Sequence, residues 1–200
     1  MSWITTIPFT EATGRLKSLY QRIKGPDDNV DNVMLVHSLR PHTMEGHMAL
    51  YKNVLHHTAN SSPKWRLELL GVWVSLLNGC AYCVEHHVSG LGRELGDEGK
   101  ASNMRAALEK EDFSFFDDGE KALLAYAFKL TTEPAGMVEQ DVAALAAAGF
   151  TDGEILETNQ IVAYFAYANR TVLGLGVDHE GDVLGLSPKN SADPGDWRHG

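Results

Sequence analysis

The stretch that decides the fold is "ELLGVWVSLLNGCAYCVEHH", Glu68 to His87. Its first half, Leu69 to Leu77, is apolar on almost every side. A helix apolar all round is buried, so this one is expected at the centre of a domain or in a subunit interface. It has about half the length that a membrane span needs. Asn78-Gly79 then ends it, because Gly79 can take the left-handed conformation that closes a helix. A new helix can begin at Cys80 and run to about Leu95. The two cysteines that open it, Cys80 and Cys83, are the only ones in the chain.

On a helix, Cys83 lies about 60° round from Cys80, and His87 about 40° from Cys83. These three project from one face and can meet. His86 is expected about a quarter-turn further round, looking away. Cys80 falls in the first turn, where free N–H groups favour an anion and lower a thiol's pKa. His87 can take or return a proton. Glu68 is a carboxylate on an otherwise apolar helix. Buried, it needs a partner or a raised pKa, and either suits proton transfer.

Three uses of a C-x-x-C compete: zinc site, structural disulfide, redox dithiol. Zinc takes four ligands, and Cys80, Cys83 and His87 make three. His37, His42, His47, His56 and His57 stand in no ligand-like pair to supply a fourth, so neither metal nor cofactor is expected. The opening "MSWITTIPFTEATG" lacks the basic and apolar regions of a signal peptide. The expected location is therefore the reducing cytoplasm, where a structural disulfide is disfavoured. A redox dithiol is left as the leading reading. A thioredoxin-like fold is excluded by the absence of a strand before the cysteines.

Outward from this stretch, the helical period dominates. "EATGRLKSLYQRIK" places Leu16, Leu19, Tyr20 and Ile23 on one face. "VDNVMLVHSL" reads as a short helix stopped by Pro41. Met44, Met48, Tyr51 and Leu55 form a stripe on the next. Ser62 and Pro63 read as N-cap and first residue of the apolar helix. Downstream, helices follow from Asp97, from Asp117 or Asp118, and from Met137. The last long one begins at a Thr151/Glu154 capping box. Tyr164, Phe165 and Tyr167 read as core, and Asn169 and Arg170 as a structural pairing. Strand signals are almost absent. The reading is an all-α, single-domain helical bundle over 1–178. Residues 179–200 are rich in Gly, Pro, Asp and Ser without a period, an extended arm or a disordered tail. Trp197 could anchor it on a neighbouring subunit.

The chain has 200 residues, 44% apolar and 22% charged, with net charge −10. That is enough for one well-buried domain. An acidic surface repels phosphate, so neither nucleic acid nor an anionic membrane is an expected partner.

The spacing Glu68-x11-Cys80-x2-Cys83-x3-His87 resembles that of the AhpD-like alkylhydroperoxidases, within the carboxymuconolactone decarboxylase superfamily. The likeness is closest over residues 30–110, and "AGFTDGEILETNQIVAYFAYANR" is similar to the second half of longer peroxidase-related members. The resemblance implies an AhpD-like, all-helical homo-oligomer whose dithiol reduces hydroperoxides. It implies that Cys83 attacks the peroxide and becomes a sulfenic acid, and that Cys80 condenses with it to a disulfide. Glu68 and His87 would form the proton relay. An external dithiol, a lipoyl group in the family's reference members, would restore the pair. The chain departs from the best-known alkylhydroperoxidase at Tyr82, where that enzyme has a histidine. Two alternatives stand beside this reading: a decarboxylase-like enzyme on a small lactone, and a non-enzymatic redox sensor.

Overall fold

A computed structural model describes residues 2–200. The apolar run forms α4 (Lys64–Leu77), and it sits at the centre of the domain. It packs against α3 (Pro41–Leu55), α5 (Ala81–Leu95), α6 (Glu98–Glu109), α7 (Asp118–Thr132) and α9 (Asp152–Leu175). Leu67, Leu69, Leu70, Val72, Trp73 and Val74 are all buried. Each such side chain contributes about 1.5–3 kcal/mol when it leaves water. Around this hub lie α1 (Gly14–Ile23), α2 (Asn32–Leu35) and α8 (Glu139–Ala147). The described residues contain no strand, only isolated bridges at His57–Ser191 and Pro188–His199. No helix among them is long and apolar enough to cross a membrane.

Local chemistry accounts for most helix ends. Asp117, not Asp118, caps α7, in a reciprocal box with Glu120. Thr151 and Glu154 form the same box on α9. Pro41 opens α3, a place where its missing N–H is no loss. At α4 the start is one residue later than expected, at Lys64, and Ser62 makes no side-chain cap. Instead the Glu157 carboxylate of α9 accepts the Ser61 and Ser62 amides at 2.7 and 2.8 Å. The turn after α4 is closed by Gly79 at φ +67°, and the Cys80 amide bonds back to the Ser75 carbonyl at 2.8 Å.

The stretch after α9 is packed on its own chain as an extended arm. Lys52 of α3 is fully buried under it. Its ammonium bonds the Lys189 carbonyl, the Ser191 hydroxyl (2.9 Å) and the His56 carbonyl (3.3 Å). A charge so placed is tolerated because it is hydrogen-bonded on several sides. Arg93 of α5 bonds the Gly185 carbonyl and the Ser187 hydroxyl. Trp197, weighed above as a contact to another subunit, is buried on its own chain, with the Arg22 guanidinium 3.8 Å above its ring.

Candidate functional site

The α4–α5 hairpin brings the sequence-derived residues together. Cys80 is the N-cap of α5, one position before the helix proper, and Cys83 lies in the first turn. The two sulfurs are 3.1 Å apart, and both cysteines are free thiols. One turn on, His87 Nδ1 meets Glu68 Oε2 at 2.6 Å. Glu68 is buried. Gly90 makes room for it: a Cβ there would stand 3.0 Å from Oε2. The His87 ring is held edge-on by Phe165, with centroids 4.5 Å apart.

A cavity of about 50 Å³ lies over this hairpin. Cys83, Glu68 and His87 line it, and so do Tyr51, Tyr164 and His86. Cys80 is fully buried behind Cys83 and is not part of the wall. A water needs about 10–15 Å³ of such space, so the cavity has room for a few waters or for the reacting end of a small molecule.

The two thiols set each other's acidity. A hydrogen bond from Cys83 lowers the Cys80 pKa, with burial opposing and Asn169 assisting. The bond to Cys80 and burial together push the Cys83 thiol well up. Cys80 was expected to be the more acidic thiol from its place near the helix dipole. The direction holds, but the main cause is the neighbouring S–H. Cys83, the cysteine that lines the cavity, is thus the less acidic of the two. Burial pushes the Glu68 carboxyl up, but His87, His56 and Arg93 outweigh it and hold it below its ordinary value. A carboxylate bound to an imidazole is what can take the Cys83 proton.

Asn169 is fully buried beside the sulfurs. It accepts from Asn78 at 2.9 Å and donates to Ser75 at 3.0 Å, tying α9 to the turn under Cys80. Arg170 stays outside and bonds the Ala166 carbonyl. His37 and His47 are buried in a chain that ends at the cavity. His37 Nδ1 meets Thr43 Oγ1 at 2.9 Å, His37 Nε2 meets His47 Nδ1 at 3.0 Å, and His47 Nε2 meets Tyr164 Oη at 3.0 Å. Burial, then His37, lowers the His47 pKa to about 3, so its ring is neutral. His42 is exposed, and His56 and His57 bond Asn190 and the Ala192 carbonyl of the arm.

Two expectations fail. Tyr164 and Phe165 are core, but Tyr167, read with them, is 40% exposed, because it lies past them on the outer side of the helix turn. His86 does not look away: it is buried in the same cavity wall as Cys83. Positions i+3 and i+4 flank position i on either side of a helix, so both histidines neighbour Cys83. His86 stacks on Tyr82 with centroids 4.5 Å apart and lies 3.4 Å from Asp182 of the arm. Tyr82 donates to Asp182 at 2.6 Å and accepts the Val33 amide at 3.2 Å. Asp31, just before α2, lines the cavity opposite. Sequence reading passed over Asp31 and Asp182. Asp31 has the look of a helix cap, and Asp182 lies in a segment without any period. No group of three or more His, Cys, Asp or Glu among the described residues could hold a metal ion.

The architecture recurs in solved structures. A peroxidase-related protein with an AhpD core from Ralstonia eutropha JMP134 superposes with a TM-score of 0.78. It is 22% identical, over 90% of this chain and 93% of that one. This is the AhpD-like fold. A peroxidase-related protein from Silicibacter sp. TM1040 shares it at TM-score 0.67 and 23% identity, over 76% and 80% of the two chains. So does the debrominase Bmp8, solved with 2,3,4-tribromopyrrole, at 0.71 and 20%, over 90% and 95%. No protein-family model and no curated protein matches the chain. The AhpD-like fold thus holds proteins named for different chemistries, and the site must supply the function.

Proposed function

We propose that the protein is a thiol-dependent peroxidase that reduces alkyl hydroperoxides through the Cys80/Cys83 dithiol. The observation that carries this reading is the arrangement around Cys83. Cys83 lines the cavity, a second thiol stands 3.1 Å from its sulfur, and a His87–Glu68 pair lines the same wall. Glu68 and His87 accept the Cys83 proton. The thiolate attacks the terminal peroxide oxygen, the O–O bond breaks, and the alcohol leaves. Cys83 is then a sulfenic acid. Cys80 attacks its sulfur, forming the disulfide and releasing water. An external dithiol, for which dihydrolipoamide is the probe, reduces the pair by exchange.

A decarboxylase would leave Cys83, part of the cavity wall, without a role. The test is peroxide consumption with dihydrolipoamide as donor. Wild type should turn over and should form one intramolecular disulfide per chain. Cys83→Ser should lose consumption entirely, and Cys80→Ser should stop after one sulfenic acid. Full activity in Cys83→Ser would end the reading. Oxidation without turnover on any dithiol would favour a sensor.

A further inference from the structure

A peroxide cleaved by Cys83 releases an alkoxide or hydroxide, and the Glu68–His87 pair has just been used as a base. The leaving oxygen needs a proton, and the cavity holds a second group, beside that pair, that can give it. Three buried polar atoms of the wall residues lack a partner: Asp31 Oδ1, His86 Nε2 and His199 Nδ1. His86 is only 9% exposed. Its nearest carboxylate, Asp182, is 3.4 Å away and already engaged by Tyr82 and by the Asn32 amide. A buried polar atom without a partner is costly, and a set of them around one small cavity suits a polar ligand.

The position of Asp31 sharpens this. It is the N-cap residue of α2, yet its side chain makes no capping bond. Capping is what an aspartate at that place ordinarily does. Here Asp182, reaching in from the arm 150 residues away, accepts the Asn32 amide at 3.1 Å instead. Asp31 is thereby released from capping, and its carboxyl belongs to the cavity wall.

We propose that Asp31 is the acid that protonates the leaving oxygen, with His86 Nε2 as a second contact to that oxygen. The inference rests on the peroxidase reading above. In the balanced sequence, the Cys83 proton passes to Glu68–His87 and the Cys83 sulfur bonds the terminal oxygen. The O–O electron pair goes to the departing oxygen, which takes the Asp31 proton and leaves as alcohol. When Cys80 displaces hydroxide from the sulfenic acid, the His87–Glu68 proton completes water, and the Cys80 proton restores Asp31. One hydroperoxide and two thiols become one alcohol, one disulfide and one water. Burial pushes the Asp31 pKa up to about 7, with His86 opposing and Asp182 adding to the rise. It therefore keeps a proton to give near neutrality. His199 and Tyr82 also belong to the cavity wall. Burial holds His199 near 4 and the Tyr82 phenol well up, so neither carries charge there.

The experiment varies the leaving group. Rapid-quench thiol alkylation gives the rate of Cys83 oxidation by hydrogen peroxide, tert-butyl hydroperoxide and peracetic acid. Carboxylate departs from peracetic acid without needing a proton; hydroxide and alkoxide do not. In Asp31→Asn the rate should fall about a hundred- to ten-thousandfold with the two hydroperoxides, and far less with peracetic acid. His86→Gln should show the same selectivity, and it decides the matter if Asp31→Asn does not fold. Equal losses on all three oxidants, or no loss, would overturn the inference while leaving the peroxidase reading intact. A wild type that reacts with none of the three would overturn both.

Discussion

Two histidines adjacent in sequence, His86 and His87, meet carboxylates of very different origin. His87 meets Glu68, 19 residues away, inside one helical hairpin. His86 meets Asp182 from the arm, with Asp31 of the α2 entry close by. Burial pushes the Glu68 carboxyl up but His87, His56 and Arg93 hold it below its ordinary value, whereas Asp31 is pushed up by burial. Two titratable groups with pKa values driven apart in one cavity mark a base and an acid. The contrast teaches that one side of the cavity is set by local helix geometry and the other only by long-range closure.

The largest expected effect tests the base side. Glu68→Gln should slow Cys83 oxidation about a hundred- to ten-thousandfold. The loss should be equal for hydrogen peroxide, tert-butyl hydroperoxide and peracetic acid, because it precedes the leaving group. A leaving-group-dependent loss would erase the distinction between the two sides.

A second effect concerns stability. Asp31 keeps its proton to a higher pH in the folded chain than in the unfolded one. Between about pH 4 and pH 7 the folded state binds more protons, so stability falls as pH rises through this window. The displacement from 3.8 to about 7 is worth on the order of 4 kcal/mol at most. Asp31→Asn should flatten that slope and leave the variant the more stable protein at pH 8. Chemical denaturation from pH 4 to 8 checks it; equal slopes in the two proteins would mean that Asp31 is ionised and solvated.

The smallest effect is Tyr82→Phe. It removes the bonds to Asp182 and to the Val33 amide, at about 1–3 kcal/mol. The arm should become easier to cleave in limited proteolysis, while the rate with peracetic acid changes little. A variant with an unchanged arm and a lost reaction would place Tyr82 in the chemistry itself.

The same contrast explains what could be read from the sequence. Glu68, Cys80, Cys83 and His87 lie within twenty residues, and helical spacing alone brings them to one place. The buried character of α4 and the caps at Asp117 and Thr151 were legible for the same reason. Asp31 and Asp182 were not, because no periodicity connects the α2 entry to an aperiodic arm that begins after Gly176. His86 was misplaced by attending to one side of the helix when Cys83 has neighbours on both. Tyr82 read as the absence of a family histidine, whereas its hydroxyl fixes the arm.

The buried lysine under the arm has a consequence for the order in which the molecule is assembled. The dithiol and its Glu68–His87 pair lie on α4 and α5, with Phe165 and Asn169 of α9 packed beside them. Lys52, Arg93 and the Tyr82 hydroxyl all find their partners in a segment about a hundred residues later in the chain. Contacts so distant in sequence form late, because the closure of a long loop must be completed before they are rewarded. The two cysteines, three residues apart on one helix, can thus stand side by side before the arm closes over the cavity beside them.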